Sequence, residues 1–431
     1  TDDNRVRKLD YCIQFSELFY KRFLKNENIT LFSPYEAKDL YDAFGHENFD
    51  ELYEQYERKT SLKFKKTIKA REMMSLFVKE RVETGRIYFM NIDHCNQRSA
   101  WNDDIKMTNL CVEVLHPTKP LQHTDDKDAE IGICILSAIN VLEIQSDAEM
   151  EKVCDIIVRI LDQLIDYQDY FLPAAENFTK NRRSLGIGIT NFAAYLAKAG
   201  VKYTDEEAPN VADELMEKVQ YYLLSSSCNI ASEKGKCPKY HKTKYSQGWL
   251  PIDTYKKEID EFVTRKNSMD WEGLRERIKE HGLRHSTVSA IMPCESSSVI
   301  QCSTNGIEPI RSYITYKKSK ARTLPVIVPN YSSLKNKYTL AYEMEDNVGL
   351  IKIVGALQKW VDMSISANMY YNYAHYENGA LPDSKVIKEI LLAYKLGWRT
   401  GYYNNTDDGD KQSSGGEEQS DNGCESGACA L

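Results

Sequence analysis

Gly85-Arg86-Ile87-Tyr88-Phe89-Met90-Asn91-Ile92-Asp93 opens on a helix breaker and then runs β-branched and aromatic, the pattern of a buried strand. Ile131-Gly132-Ile133-Cys134-Ile135-Leu136 is a second apolar run of strand length, and Ser286-Thr287-Val288-Ser289-Ala290-Ile291-Met292 is a third, stopped by Pro293. Between these runs the period changes to that of a helix. Val153, Ile156, Ile157, Ile160, Leu161 and Leu164 predict an amphipathic helix over about 147–170. Residues 191–198 predict another, with Gly200 placed as its C′ stop. One or two more follow over 205–233, and others over 348–371 and 384–396. Upstream, Val6, Leu9, Cys12, Ile13, Phe15, Leu18, Phe19 and Phe23 recur every three to four positions, so the first 80 residues are expected to be helical. Strands alternating with helices imply an α/β fold with parallel pairing. No internal repeat is visible.

With 431 residues, 42% of them hydrophobic, the chain can bury a large core and form two or three domains or one extended α/β unit. No apolar run of about 18 residues suggests a membrane span. The opening Thr1-Asp2-Asp3-Asn4-Arg5 has neither an initiator Met nor the pattern of a signal peptide; it reads as a start inside a longer protein. Much of the net charge of −8 lies at the other end, where Asp407, Asp408, Asp410, Glu417, Glu418, Asp421 and Glu425 face only Lys411. The body is near neutral, which argues against a nucleic-acid footprint. Lys317-Lys318-Ser319-Lys320-Ala321-Arg322 reads as a solvated loop. From Asn404 onward the chain is acidic and rich in Gly and Ser, a flexible tether by composition. Eleven cysteines without a secretion signal point to reduced thiols in a cytoplasmic protein. Their spacing matches no structural zinc site, and no metal is expected.

Several constellations could carry chemistry. In Asn109-Leu110-Cys111-Val112-Glu113, an extended backbone would put an amide, a thiol and a carboxylate on one face. A carboxylate neighbour keeps a thiol neutral. Such a thiol can give up a hydrogen atom while the carboxylate serves as a base; a surface loop with a core cysteine is the alternative. Cys134, inside an apolar run, reads by itself as a core thiol. Met292-Pro293-Cys294-Glu295-Ser296-Ser297-Ser298 ends a strand in a hydroxyl-rich turn, either an anion cradle or a serine-capped helix start. Asn305-Gly306 marks a turn. Tyr402-Tyr403 stands at the junction with the tether, where packing and a relay are both open. Cys424-Glu425-Ser426-Gly427-Ala428-Cys429 has a spacing that permits a disulfide hairpin. Two exposed thiols in a reducing compartment suggest thiol–disulfide exchange. Gly186-Ile187-Gly188 lacks the third glycine of a dinucleotide fingerprint, because Asn191 stands there; packing is the better reading.

In combination with Thr84-Gly85-Arg86-Ile87-Tyr88, Asn91-Ile92-Asp93-His94-Cys95-Asn96, Asp166-Tyr167-Gln168-Asp169-Tyr170, Arg183-Ser184-Leu185-Gly186-Ile187-Gly188 and Asn305-Gly306-Ile307-Glu308-Pro309, these motifs resemble the C-terminal part of the large (alpha) subunit of class Ia ribonucleotide reductase. The resemblance covers nearly the whole chain. It implies the second half of a ten-stranded α/β barrel with a finger loop carrying a radical cysteine. The implied organisation is a helical lead-in over 1–80, the half-barrel over 81–403 and a redox tail over 404–431. The implied reaction is reduction of ribonucleoside diphosphates. Cys111 would be the thiyl radical, Glu113 the base, Asn109 a substrate anchor and Cys134 one of two reducing thiols. Pro293, Cys294, Glu295, Ser296 and Ser297 would cradle the diphosphate. Tyr402 and Tyr403 would relay a radical from a di-iron tyrosyl small subunit. Cys424 and Cys429 would pass oxidation to thioredoxin or glutaredoxin. No cofactor would be bound directly, and the large subunit would be a dimer.

Two departures stand out. Cys294 occupies a phosphate-loop position where the family leads one to expect serine. The family's second reducing cysteine and nucleotide-sensing elements have no counterpart here. Half a barrel leaves strand edges and apolar faces uncovered, so an N-terminal partner polypeptide is expected to complete the subunit. Two rivals remain: a non-catalytic piece that docks the small subunit, and a stand-alone thiol oxidoreductase, which lacks a CxxC at a helix start.

Overall fold

The structure is a computed structural model that describes residues 9–318, 323–407 and 418–419. Its strands pair mostly in parallel, as the alternation of elements predicted. Leu136–Asn140 pairs in parallel with Gly186–Thr190. On the other side of Gly186–Thr190 runs the extended segment 287–292, through a parallel bridge between Ile187 and Ser289. That segment in turn meets Ile365 through Ile291. Met369–Asn372 pairs in parallel with Asn404–Asp407. Thr400–Gly401 runs antiparallel to Ile87–Asn91, which pairs in parallel with Tyr11–Phe15. Tyr11–Phe15 is the edge of that sheet among the described residues.

Helices cover these strands. Asp147–Tyr167 starts where Ser146 accepts a hydrogen bond from the Glu149 amide and buries Met150, Cys154, Val158, Leu161 and Ile165, spaced as one helical face. Each such side chain contributes roughly 1.5–3 kcal/mol by leaving water. The 27-residue helix Ala208–Lys234 packs against it and against Val348–Gln358 and Trp271–His281. Trp271 and Trp360 stack at 5.2 Å, and their indole N–H groups donate to buried Glu217 and Asp213. Gly200 takes a left-handed φ of 76° and ends Phe192–Ala199, as its spacing predicted. Among the described residues, no helix is long and apolar enough to cross a membrane.

Five local expectations are corrected. The first 80 residues are not all helix, because Tyr11–Phe15, Asn28–Phe32 and Lys65–Lys69 are strands; the short-period pattern there mixes one strand with the helix Glu17–Leu24. The second strand begins at Leu136, downstream of most of the apolar run. Residues 286–292 form bridges rather than a regular strand. The helix predicted over 348–371 stops at Gln358, and Met369–Asn372 is a strand. The tether does not begin at Asn404, because pairing of Asn404–Asp407 with Met369–Asn372 satisfies that backbone. In the basic run, 319–322 lies outside the described residues, between the hairpin strands Ile314–Lys318 and Thr323–Ile327.

Candidate active site

Residues 108–115 form a loop closed by an antiparallel bridge between Thr108 and Leu115. It is not extended, the condition under which the sequence placed all three groups on one face. The Val112 amide donates to the Asn109 carbonyl at 3.2 Å, and Val112 takes a φ of 62°. A β-branched residue in that region costs on the order of 1–3 kcal/mol and must be held by its surroundings. Burial of Val112 against Tyr88 and Tyr402 holds it, and so does the Thr400 hydroxyl, which donates to its carbonyl at 3.0 Å. A turn, not alternation, thus assembles the amide, thiol and carboxylate.

Glu113 is buried, with 1% exposure. The Asn109 amide donates to its Oε2 at 2.9 Å, and the Ser366 hydroxyl donates to the same oxygen at 3.2 Å. Burial pushes its carboxyl above the usual range, and the Asn109 and Ser366 hydrogen bonds oppose that rise. Asn109 is anchored in turn, as its Oδ1 accepts from the Val114 amide at 2.9 Å. Cys111 is half-buried. Its sulfur receives the Tyr402 hydroxyl at 3.5 Å, and its carbonyl receives the Ser366 hydroxyl.

Tyr402 and Tyr403 sit between the strands Thr400–Gly401 and Asn404–Asp407 and are held by backbone hydrogen bonds. The Tyr402 amide donates to Ala367, and the Tyr403 carbonyl accepts from Met369. Buried Arg81 donates to both tyrosine carbonyls. The two rings lie 4.2 Å apart. Tyr88 packs 4.8 Å from Tyr402 and 5.3 Å from Tyr403. Burial first, then the Cys111 thiol, raises the Tyr402 hydroxyl pKa, so this group keeps its proton at neutral pH.

The phosphate-loop candidates adjoin the same region. Glu295–Ile300 is a short helix with Cys294 at its cap in a left-handed conformation and no side-chain cap, so a serine cap is excluded. Glu295, Ser296 and Ser297 are exposed, and Pro293 is half-buried. The Cys294 sulfur is buried 3.9 Å from the Ile189 carbonyl. Burial pushes its thiol up to about 12, against the Ser297 and Thr190 hydrogen bonds, and the negative Glu113 adds to the rise. The segment leading into the loop also lies beside the carboxylate's partner, because the Ser366 amide donates to the Ile291 carbonyl at 2.9 Å. Gly306 packs on Met292, where a Cβ would lie 2.9 Å from the Met292 carbonyl. Cys134 is exposed, two residues before Leu136–Asn140; the core-thiol reading from sequence is therefore corrected. Cys424 and Cys429 lie outside the described residues.

The sequence reading missed Tyr88, Ser366, Asn368 and Glu308 as members of this cluster. Asn368 accepts from the Tyr403 amide and donates to Glu308, which also receives the Tyr370 hydroxyl. The signal was present in Ser364-Ile365-Ser366-Ala367-Asn368. Polar residues at every second position put one face of an extended segment into the site, but a helix was expected there.

A family model described as "Ribonucleotide reductase, barrel domain" matches residues 1–404. The chain is 47% identical, over its whole length, to ribonucleoside-diphosphate reductase 1 subunit alpha of Escherichia coli strain K12, of which it spans 57%. It is 45% identical, over its whole length, to the subunit alpha of Buchnera aphidicola subsp. Acyrthosiphon pisum, again spanning 57% of that relative. For the subunit alpha of Enterobacteria phage T4 the identity is 40%, over 95% of this chain and 54% of the relative. A match across the whole loop, strand and tyrosine framework, at this identity, leaves one conclusion: the chain belongs to the ribonucleotide reductase barrel-domain family.

Proposed function

We propose that the chain is the radical-cysteine half of a ribonucleoside-diphosphate reductase large subunit, completed by an N-terminal polypeptide. The names of its relatives support the reaction, and the Tyr402 hydroxyl at 3.5 Å from the Cys111 sulfur carries the assignment of residues. A hydrogen atom passes from Cys111 toward Tyr402 and Tyr403, and on to a small subunit whose di-iron tyrosyl centre holds the radical. The Cys111 thiyl takes the 3′ hydrogen of the ribose, while ionised Glu113 accepts the 3′-hydroxyl proton. The 2′-hydroxyl leaves as water. Two thiols, Cys134 and one from the N-terminal polypeptide, supply two electrons and close into a disulfide. Cys111 then returns that hydrogen to the 3′ carbon, and the regenerated thiyl recovers a hydrogen atom through Tyr402, which sends the radical back along the tyrosines. Cys424 and Cys429 reduce that disulfide by exchange and are themselves reduced by thioredoxin or glutaredoxin.

Asn109 holds the substrate, and the backbone amides of Cys294 to Ser297, directly behind Pro293, donate to its diphosphate. In domain terms, residues 81–403 form half of the barrel, 108–115 the finger loop, and the redox tail starts beyond Asp407. The assembled large subunit is a cytoplasmic homodimer. The test reconstitutes this chain with the N-terminal polypeptide, the small subunit and a dithiol. Wild type is expected to form deoxynucleotide. Cys111→Ser should abolish turnover but leave disulfide exchange at the tail intact. Turnover by Cys111→Ser would refute the assignment. No turnover by wild type would favour the docking reading, and turnover without the N-terminal polypeptide would sink the two-piece reading.

A further inference from the structure

Helix Asp147–Tyr167 carries two apolar faces. The first, Met150, Cys154, Val158, Leu161 and Ile165, is buried in the core. The second points away from the core: Ile156, Ile160, Leu164 and Tyr167 recur at helical spacing, and exposed Phe171 follows four residues later, beyond the helix end. Their exposures are 46%, 60%, 41%, 84% and 101%. At 100° per residue, Ile156 stands about 160° around the axis from Val158, so the rows oppose each other. A helix apolar on both sides is a middle layer, not a surface layer. Monomers rarely leave so large a contiguous apolar row in water.

We propose that this outer row is the docking face for the part of the large subunit that this chain does not span, which rests on the two-piece reading above. Two observations select that occupant. The alpha subunits that match the chain along its whole length are considerably longer, so those relatives carry further polypeptide outside the matched region. The row is also purely aliphatic and aromatic. That composition fits a permanent interface within one subunit better than a transient one with a reductant, because permanent interfaces are the more hydrophobic.

The test uses the full 431-residue chain. Its probe is the portion of the Escherichia coli alpha subunit outside the matched region, produced as a separate polypeptide. Binding is measured by sedimentation and calorimetry. The triple variant Ile160→Glu/Tyr167→Glu/Phe171→Glu alters only exposed positions. It is expected to weaken binding at least a hundredfold, Phe171→Glu alone at least fivefold, and Tyr35→Glu, exposed elsewhere, not at all. Equal binding by wild type and triple variant overturns the docking face while the two-piece reading stands. Failure of wild type to bind removes both. If wild type pairs with itself through this row while the triple variant still binds the probe, the occupant is a second copy and the proposal falls.

Discussion

Replacing Gly188 by alanine tests the packing on which the phosphate-loop candidate depends. Gly186–Thr190 is clasped between Leu136–Asn140 and the 287–292 segment. A Cβ on Gly188 would lie 2.6 Å from the Ala290 carbonyl oxygen, 3.1 Å from Ile291 Cα and 3.1 Å from Met292 Sδ. The nearest atoms are backbone, so roughly half an ångström of room must come from moving a whole segment. Overpacking of that kind costs about 1–3 kcal/mol, and the upper half of the range is expected because both flanking segments are hydrogen-bonded. Gly186 in the same strand is the internal comparison. Its Cβ would meet the side-chain ends Leu136 Cδ2 at 2.6 Å, Ala290 Cβ at 3.1 Å and Met363 Cε at 3.4 Å. Two of these can rotate away, so little of the overpacking cost is expected there, while the gain of about 0.4–1 kcal/mol from restricting the unfolded chain is common to both variants and cancels. Urea unfolding of the two variants should therefore differ by about 2 kcal/mol, a midpoint separation of roughly 0.7–1 M at a slope of about 2–3 kcal/mol/M. Gly188→Ala should also weaken diphosphate binding in the reconstituted enzyme, because the displaced segment leads directly into Pro293. Stabilities within about 0.5 kcal/mol of each other would refute the reasoning.

Further outcomes follow from the same geometry. Because burial raises the Glu113 carboxyl, a reaction that needs its ionised form is lost as pH falls through that raised value, and the acid limb of the rate profile should sit above about 4.3. Ser366→Ala removes a hydrogen bond to the ionised form and should move that limb further up; a downward shift argues against Glu113 as the base. Asp162 is wholly buried among Arg183, Lys234, Arg284 and His285. Burial opposes its ionisation, but the His285 hydrogen bond and the arginines outweigh it and hold the carboxyl well below its usual range. Its stabilisation is thus present above about pH 3.9 and lost as pH falls through the folded value. Asp162→Asn should cost about 3–5 kcal/mol at pH 7 in a denaturant titration, and a cost under about 1 kcal/mol would contradict that account. Iodoacetamide at pH 8, followed by peptide mass analysis, should label exposed Cys134 and spare Cys294, whose buried thiol at about 12 leaves a thiolate fraction near 10⁻⁴. Fast labelling of Cys294 would show that the loop opens.

The parallel α/β class, the helix Asp147–Tyr167 and the Gly200 stop were legible because each depends on periodicity or on one residue's backbone freedom, which are local properties. The packing role of Gly186 and Gly188 was legible too, from a missing third glycine. Helix and strand were confused where apolar residues are dense, as at Tyr11–Phe15 and in the Ser364 to Asn368 segment. There the local pattern suits either element, and pairing with a distant partner decides. The identities of Asn109, Cys111, Glu113, Tyr402 and Tyr403 were evident from their motifs, since those motifs are contiguous in the chain. Their arrangement was not. The turn at Val112, the Ser366 hydroxyl between Cys111 and Glu113, and the packing of Tyr88 on Tyr402 all join residues hundreds of positions apart, or strain a local conformation that only its surroundings sustain. The sequence by itself determined which chemical groups the chain carries and the class of fold that holds them. Only the tertiary structure decided that the thiol, carboxylate and tyrosines meet in one place, because burial and long-range hydrogen bonding depend on neighbours that no local window contains.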